Sequence, residues 1–256
     1  MLYDFVMQKR NFAGNLTFRK FNPEYRDIVL YLGASFLGQR SMRKVLWYLE
    51  TLILSARFMQ KIKINEKMKD SKAFPTRKRL WKYLKNRLKP GYIVFEFGVA
   101  SGTATKFWAT TGVDFKHWYG FDTFTGLPED WTRGGISVLN AGTFDQTLIF
   151  GTGFPKVEAT YEITWIKGLI EDTFSDKFIN NLGENNFCIF IDVDLYKPSL
   201  HILKILSNYL KKGDLIYFDE AFDPWNEWKA LDETSEALPK FKSIAHTGSA
   251  MLIEIQ

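Results

Sequence analysis

Two apolar runs that stop on carboxylates constrain the fold more than any other feature of the chain. Residues 187–191 read Phe-Cys-Ile-Phe-Ile and lead into Asp192-Val193-Asp194. Residues 215–218 read Leu-Ile-Tyr-Phe and lead into Asp219-Glu220. Neither run alternates apolar with polar residues, so each suits a strand covered on both faces, as in a parallel sheet. Ligands of such sheets bind beyond the carboxyl ends of the strands. Acids gathered there repel one another unless a cation is present, and their oxygens suit a hard ion such as Mg²⁺. The alternative is a pair of solvated acidic loops.

An earlier stretch, YIVFEFGVASGTATKFWA at 92–109, has a different character. Its apolar run Tyr92–Phe95 ends at Glu96. Gly98, Ala100 and Gly102 then alternate before a helix-like segment. Small residues after a strand let the backbone turn tightly and approach a ligand. The spacing is E-x-G-x-A-x-G, not the dinucleotide pattern G-x-G-x-x-G, and no Lys-Ser/Thr pair follows as a phosphate loop requires. Asp122 ends the next strand-like run, Trp118–Phe121, where a carboxylate can hold both hydroxyls of a ribose. Together the two acids suit an adenosyl ligand without phosphates.

From Phe74 onward, helical and strand-like patterns alternate, which predicts an α/β fold with a parallel sheet. Phe74-Pro75-Thr76 starts a helix with Leu80, Trp81, Leu84 and Leu88 on one face, and Lys89-Pro90-Gly91 ends it. The last segment, FKSIAHTGSAMLIEIQ, reads as two strands around Thr247-Gly248. Residues 1–73 form a basic, mainly helical region with amphipathic stretches at Tyr25–Leu37 and Ser41–Lys61 and a Lys-rich connector at Lys63–Ala73. Residues 74–256 form the ligand-binding domain. Within it, the glycine-rich residues 132–160 break the alternation and are expected to cover the substrate.

Charge divides the chain. Residues 1–90 carry 21 Lys and Arg against 6 Asp and Glu, and the remainder 13 against 23. This asymmetry raises the question of an anionic partner. The basic region either packs or is solvated, or it contacts an anionic membrane surface peripherally. No zinc-ligand spacing or RNA-binding signature favours nucleic acid. The longest apolar run, Ile28–Gly38, is too short to span a bilayer. With no visible signal segment and a single cysteine, Cys188, inside an apolar run, the expectation is a cytoplasmic protein. His117, His201 and His246 are expected to be structural.

The motifs resemble those of a known family. EFGVASG is similar to the first motif of class I S-adenosylmethionine-dependent methyltransferases. GFDTFTGLPEDW at 120–131, IKGLIEDTF at 166–174, IDVDLYKPS at 191–199 and the strand ending Asp219-Glu220 resemble the macrocin O-methyltransferase type, which methylates sugar hydroxyls with Mg²⁺. The resemblance covers about residues 75–256. It implies a Rossmann-like methyltransferase sheet with helices on both faces and an antiparallel C-terminal hairpin, preceded by the helical N-terminal region. It also implies S-adenosylmethionine as donor, Mg²⁺ or a similar divalent cation, and a small-molecule or glycoconjugate hydroxyl as acceptor.

Carried onto this chain, the resemblance makes Asp192, Asp219 and Glu220 the metal ligands and Asp194 the general base. The donor-side candidates are Glu96, Gly98, Ala100, Gly102, Asp122 and Thr123. Two departures stand out. The acid pair is Asp-Glu where the family often has Asp-Asp, and DPWNEW only loosely resembles the family's Trp-Pro-Gly-Glu stretch. Two other functions fit the same motifs: methylation of a phenolic or catechol hydroxyl, and a non-catalytic adenosyl-binding scaffold docked to an anionic membrane or assembly. A homo-oligomer is compatible with either.

Overall fold

The computed structural model describes residues 67–133, 136–147, 151 and 154–256, together with Leu49, Leu52, Ile53, Ala56, Arg57 and Gln60. Those six residues are helical; the rest of Ser41–Lys61, like Tyr25–Leu37, lies outside the described residues. Residues 52–256 cluster as one compact unit and residues 1–51 as another. Among the described residues, no helix is long and apolar enough to cross a membrane.

The larger unit is built on an eight-stranded sheet. In chain order its strands are β1 (Lys72–Ala73), β2 (Ile93–Phe97), β3 (His117–Asp122), β6 (Ile163–Lys167), β7 (Phe187–Ile191), β8 (Leu215–Phe218), β9 (Phe241–His246) and β10 (Met251–Ile255). Their spatial order is β1-β9-β10-β8-β7-β2-β3-β6. The strands from β8 to β6 run parallel, and β10 is antiparallel to both β8 and β9. The expected covered parallel sheet with a closing antiparallel hairpin is therefore present. A separate hairpin, β4 (Trp131–Arg133) with β5 (Ile136–Leu139), lies in the segment after β3.

Alternation along each central strand sends side chains to two cores. Phe95, Phe97, Ile189, Ile191, Ile216 and Phe218 face one side. There they meet α3 (Ile170–Thr173), α4 (Asp176–Asn180), α5 (Tyr196–Leu206) and α6 (Glu227–Thr234). Val94, Trp118, Cys188, Phe190, Leu215 and Tyr217 face the other, against α1 (Arg77–Lys85) and α2 (Thr103–Ala109). Cys188 is buried and free.

The start of α1 is set by local chemistry. The Thr76 side chain accepts from the Arg79 amide at 3.4 Å, a cap worth about 1 kcal/mol. Leu80, Trp81 and Leu84 then seal one helix face onto the sheet. This leaves Arg77, the first helical residue, at the sheet's carboxyl end, where it reaches Asp219.

Of the Lys63–Ala73 stretch, expected to be an exposed connector, residues 67–73 are described, and most of them are exposed. Met68 is buried, and Lys72–Ala73 pairs with Ala245 and His246 of β9. An uncovered sheet edge leaves backbone groups unpaired, and this short strand covers part of it. Ser71 adds hydrogen bonds to Ser243 and His246 at 2.8 and 2.9 Å.

Candidate active site

The sequence-selected residues all lie at the carboxyl ends of β2, β3, β7 and β8, four strands that run parallel. They form two regions of opposite construction.

The turn after β2 is a backbone structure. Gly98, Ala100 and Gly102 all take positive φ, at 87°, 44° and 71°. Glycine at 98 is obligatory for a second reason. A Cβ there would lie 1.7 Å from the Asp192 carbonyl oxygen, so the turn presses against the end of β7. Asp122 holds the turn in place. Its Oδ2 accepts the Val99 and Ala100 amides, each at 2.8 Å, and its Oδ1 accepts the Phe124 amide at 2.6 Å. Thr123 donates to the Gly126 carbonyl at 2.6 Å and shapes the following loop.

Glu96 is placed differently from its neighbours. It is buried under α2, where its carboxylate accepts from the Thr105 hydroxyl and, at 2.8 Å, from the Trp118 indole. Burial pushes it up to about 7, against the pull of those two donors. From this position it ties α2 to β3.

Residues of the 132–160 segment close over the same region. Pro155 is buried and packs where a Gly102 side chain would be, 2.8 Å from an added Cβ. Phe154 meets Phe124 edge to face at 4.9 Å between ring centroids. Trp165 of β6 lies over Gly120, leaving no room for a side chain there. Sequence reasoning missed Phe124, Phe154 and Trp165 as walls. The one signal for them was the glycine at position 120, within the motif.

The ends of β7 and β8 are side-chain structures dominated by negative charge. Asp192 is driven well above the carboxylate range by burial and then by Asp219, Asp194 and Glu227. Burial, with Asp219 adding to it, raises Asp194 to about 7. Burial and Asp219 raise Glu220 to about 8. Asp194 sits at a φ of 60°, a left-handed conformation that turns it off the strand line.

Two arginines from distant segments answer this charge. Arg77 pairs with Asp219 at 3.0 Å, and the other Asp219 oxygen accepts the Tyr217 hydroxyl at 2.6 Å. Tyr217 and Asp219 are two apart along the chain and so face α1 together. Arg133 of β4 is buried and bridges Asp223 at 3.0 Å and Glu220 at 3.1 Å. Asp223 also accepts from Trp131 and Asn226, and Asn226 donates to the Thr132 carbonyl. The β4–β5 arm is thereby clasped to the loop after β8.

Glu227, absent from the sequence-selected set, joins the two strand ends. Its carboxylate accepts the Val193 amide at 3.2 Å and the Glu220 amide at 3.0 Å. Its signal was the Glu of DPWNEW. His201 donates to or accepts from no acid here; its Nε2 pairs with the Phe174 carbonyl.

The acid set fits a hard divalent cation in chemistry and in charge, because its donors are all oxygen and its carboxylates outnumber the two guanidiniums. Among the described residues, however, no three potential ligands stand at metal-holding spacing. Asp219 is occupied by Arg77 and Tyr217, and Glu220 by Arg133.

No family model and no curated protein matches the chain. Among solved structures it is similar to the calicheamicin methyltransferase CalS11, at 18% identity and a TM-score of 0.48, covering 79% of this chain and 91% of that one. It is similar to the O-methyltransferase NovP at 18% identity and a TM-score of 0.47, covering 70% and 77% respectively. A methyltransferase from Geobacter sulfurreducens in complex with S-adenosyl-L-homocysteine gives 15% identity and a TM-score of 0.33, covering 66% and 68%.

Proposed function

We propose that the protein transfers a methyl group from S-adenosylmethionine to a hydroxyl of a sugar, a glycosylated natural product or a polysaccharide precursor, with a divalent cation at the acid end. The observation that carries this reading is a single juxtaposition. A turn closed around Asp122 by backbone amides abuts, through Gly98 and the Asp192 carbonyl, a strand end bearing the half-buried acids Asp192 and Asp194.

In this reading Gly98, Ala100 and Gly102 give the donor close backbone contact, while Asp122 and Thr123 define the ribose end. The donor supplies an electrophilic methyl and leaves as a neutral thioether. The chain's main contribution is alignment of acceptor oxygen, methyl carbon and sulfur, since positioning supplies much of the acceleration in such displacements. Asp194 takes the hydroxyl proton. No hydrogen bond among the described residues engages its carboxylate, so it is placed to accept that proton. Asp192, Asp219 and Glu220 would hold the cation, which would supply positive charge beside the reacting oxygen.

The test is calorimetric titration with S-adenosylhomocysteine, followed by methyl transfer to nucleotide-sugar and glycoside acceptors with and without chelator. Binding of the thioether but not of a dinucleotide is expected, with transfer lost in chelator. Tight binding of a dinucleotide instead would overturn the donor assignment. Full transfer in chelator would remove the cation and leave the methyltransferase reading standing.

A further inference from the structure

The two guanidiniums at the acid end are held in different ways. The Arg133 side chain is 1% exposed, bound to two carboxylates, and lies over the rings of Trp131 and Phe222 at 4.7 and 5.3 Å. The Arg77 side chain is 48% exposed and pairs with one carboxylate, Asp219, whose own side chain is 3% exposed. Its helix is fixed by the Thr76 cap and by Leu80, Trp81 and Leu84, so the tip of Arg77 can leave while its backbone stays.

We propose that Arg77 is an exchangeable plug: a resident counter-cation on Asp219 that a divalent cation must displace in order to bind. The inference rests on the cation of the proposed function. A buried carboxylate without a partner is costly, so Asp219 needs positive charge whether or not a metal is bound. A guanidinium stays protonated throughout the physiological range, so it cannot vacate the site by losing a proton. It leaves only when another cation competes for the same oxygen. Exchange restores water to the half-exposed guanidinium while the incoming cation takes over its charge, so the buried Asp219 is never left unpaired. Arg133 has no such exit, so Glu220 stays tied to the arm while Asp219 is open to exchange. Arg77 is therefore a positioning residue that sets how much cation the site requires.

The experiment is calorimetric titration of the full chain with Mn²⁺, in saturating S-adenosylhomocysteine, for the parent, Arg77→Gln and Arg77→Lys. Removing the competing guanidinium should tighten Mn²⁺ binding by roughly three- to tenfold in Arg77→Gln, the equivalent of about 0.7–1.4 kcal/mol. The same variant should melt below the parent without metal and gain more from metal than the parent does. Arg77→Lys, which retains a charge, should stay close to the parent in both respects. Arg77→Met provides a second neutral variant if the glutamine fails to fold. Equal or weaker Mn²⁺ binding in the neutral variants would overturn the plug. Absence of Mn²⁺ binding in every variant, with S-adenosylhomocysteine bound normally, would overturn both the plug and the cation of the proposed function, and leave the donor reading intact.

Discussion

The turn after β2 and the acid end of β7 and β8 meet where Gly98 presses against the Asp192 carbonyl, yet they are stabilised in opposite ways. The turn is held by backbone amides that converge on Asp122 and by positive-φ residues that admit almost no side chain. It is complete as it stands. The acid end is held by side chains, and its charges are not balanced. Burial and mutual repulsion raise Asp192, Asp194, Glu220 and Glu227 together. Two guanidiniums borrowed from α1 and β4 offset only part of that charge. In the proposed function this contrast becomes a division of labour, with a rigid receptor for the donor beside a cluster whose energy falls when positive charge arrives.

The largest expected effect is on turnover at the acid end. Asp194→Asn should lower it about 10²–10⁴-fold while leaving S-adenosylhomocysteine affinity nearly unchanged. Steady-state kinetics beside calorimetry checks this. Parental turnover in the variant would mean that the acid end is not the reacting end, and the comparison would collapse.

Gly98→Ala tests the point of contact. A methyl group at 1.7 Å from a backbone oxygen forces the end of β7 away from the turn, and φ near 87° strains any side chain. A loss of about 3–4 kcal/mol is expected from denaturant unfolding, with donor affinity and turnover falling together. Gly102→Ala meets the buried Pro155 ring at 2.8 Å rather than a strand backbone, and should cost less, about 2 kcal/mol, through that contact and its φ together. If the two variants behaved alike, the two regions would not be mechanically joined at Gly98.

Arg133→Leu addresses the clasp. It leaves Asp223 and Glu220 without their buried partner, for an expected loss of about 3 kcal/mol. Proteolysis within 124–147 should accelerate as the arm loosens. A stable arm in this variant would show that Asn226 and Trp131 suffice to hold it.

The two regions also differed in how much of them the sequence disclosed. The turn, the strands and the start of α1 were legible because their causes are local: an apolar run, a glycine where the chain must turn, a threonine that caps. Asp192, Asp194, Asp219 and Glu220 were legible for the same reason, as acids at strand ends. Their partners were not. Arg77 and Arg133 are ordinary basic residues in a basic stretch and a glycine-rich loop, and only the packing of α1 on the sheet and the clasping of the β4–β5 arm to the loop after β8 bring them to the acids. Thr105 and Trp118 likewise turned Glu96 under α2, a contact no spacing rule supplies. The two-residue β1 and the β4–β5 hairpin are too short to carry a pattern, because their registers are set by β9 and by the Arg133 clasp.

The smallest expected effect separates the two regions by pH. Glu96 has a folded value of about 7 against an ordinary 4.5, so folding favours its protonated form. The stability this provides is complete below the unfolded value and is lost as pH rises through about 7. Between pH 5 and 8 this should cost on the order of 1–2 kcal/mol, a few degrees in Tm. Glu96→Gln keeps an acceptor for Thr105 and Trp118 but removes the titration, so its Tm should fall less steeply over that range. Mg²⁺ should act at a different place, because Glu96 lies under α2 with Thr105 and Trp118. What Mg²⁺ should do is raise Tm at pH 8 in the parent and in Glu96→Gln by the same amount, through the acids of β7 and β8. The measurement is a set of melting curves across pH, with and without Mg²⁺, for both proteins. If Glu96→Gln abolished the Mg²⁺ response, the donor turn and the acid cluster would have to be a single electrostatic unit. An equal Mg²⁺ gain in both proteins would instead confine the cation's effect to the acid end.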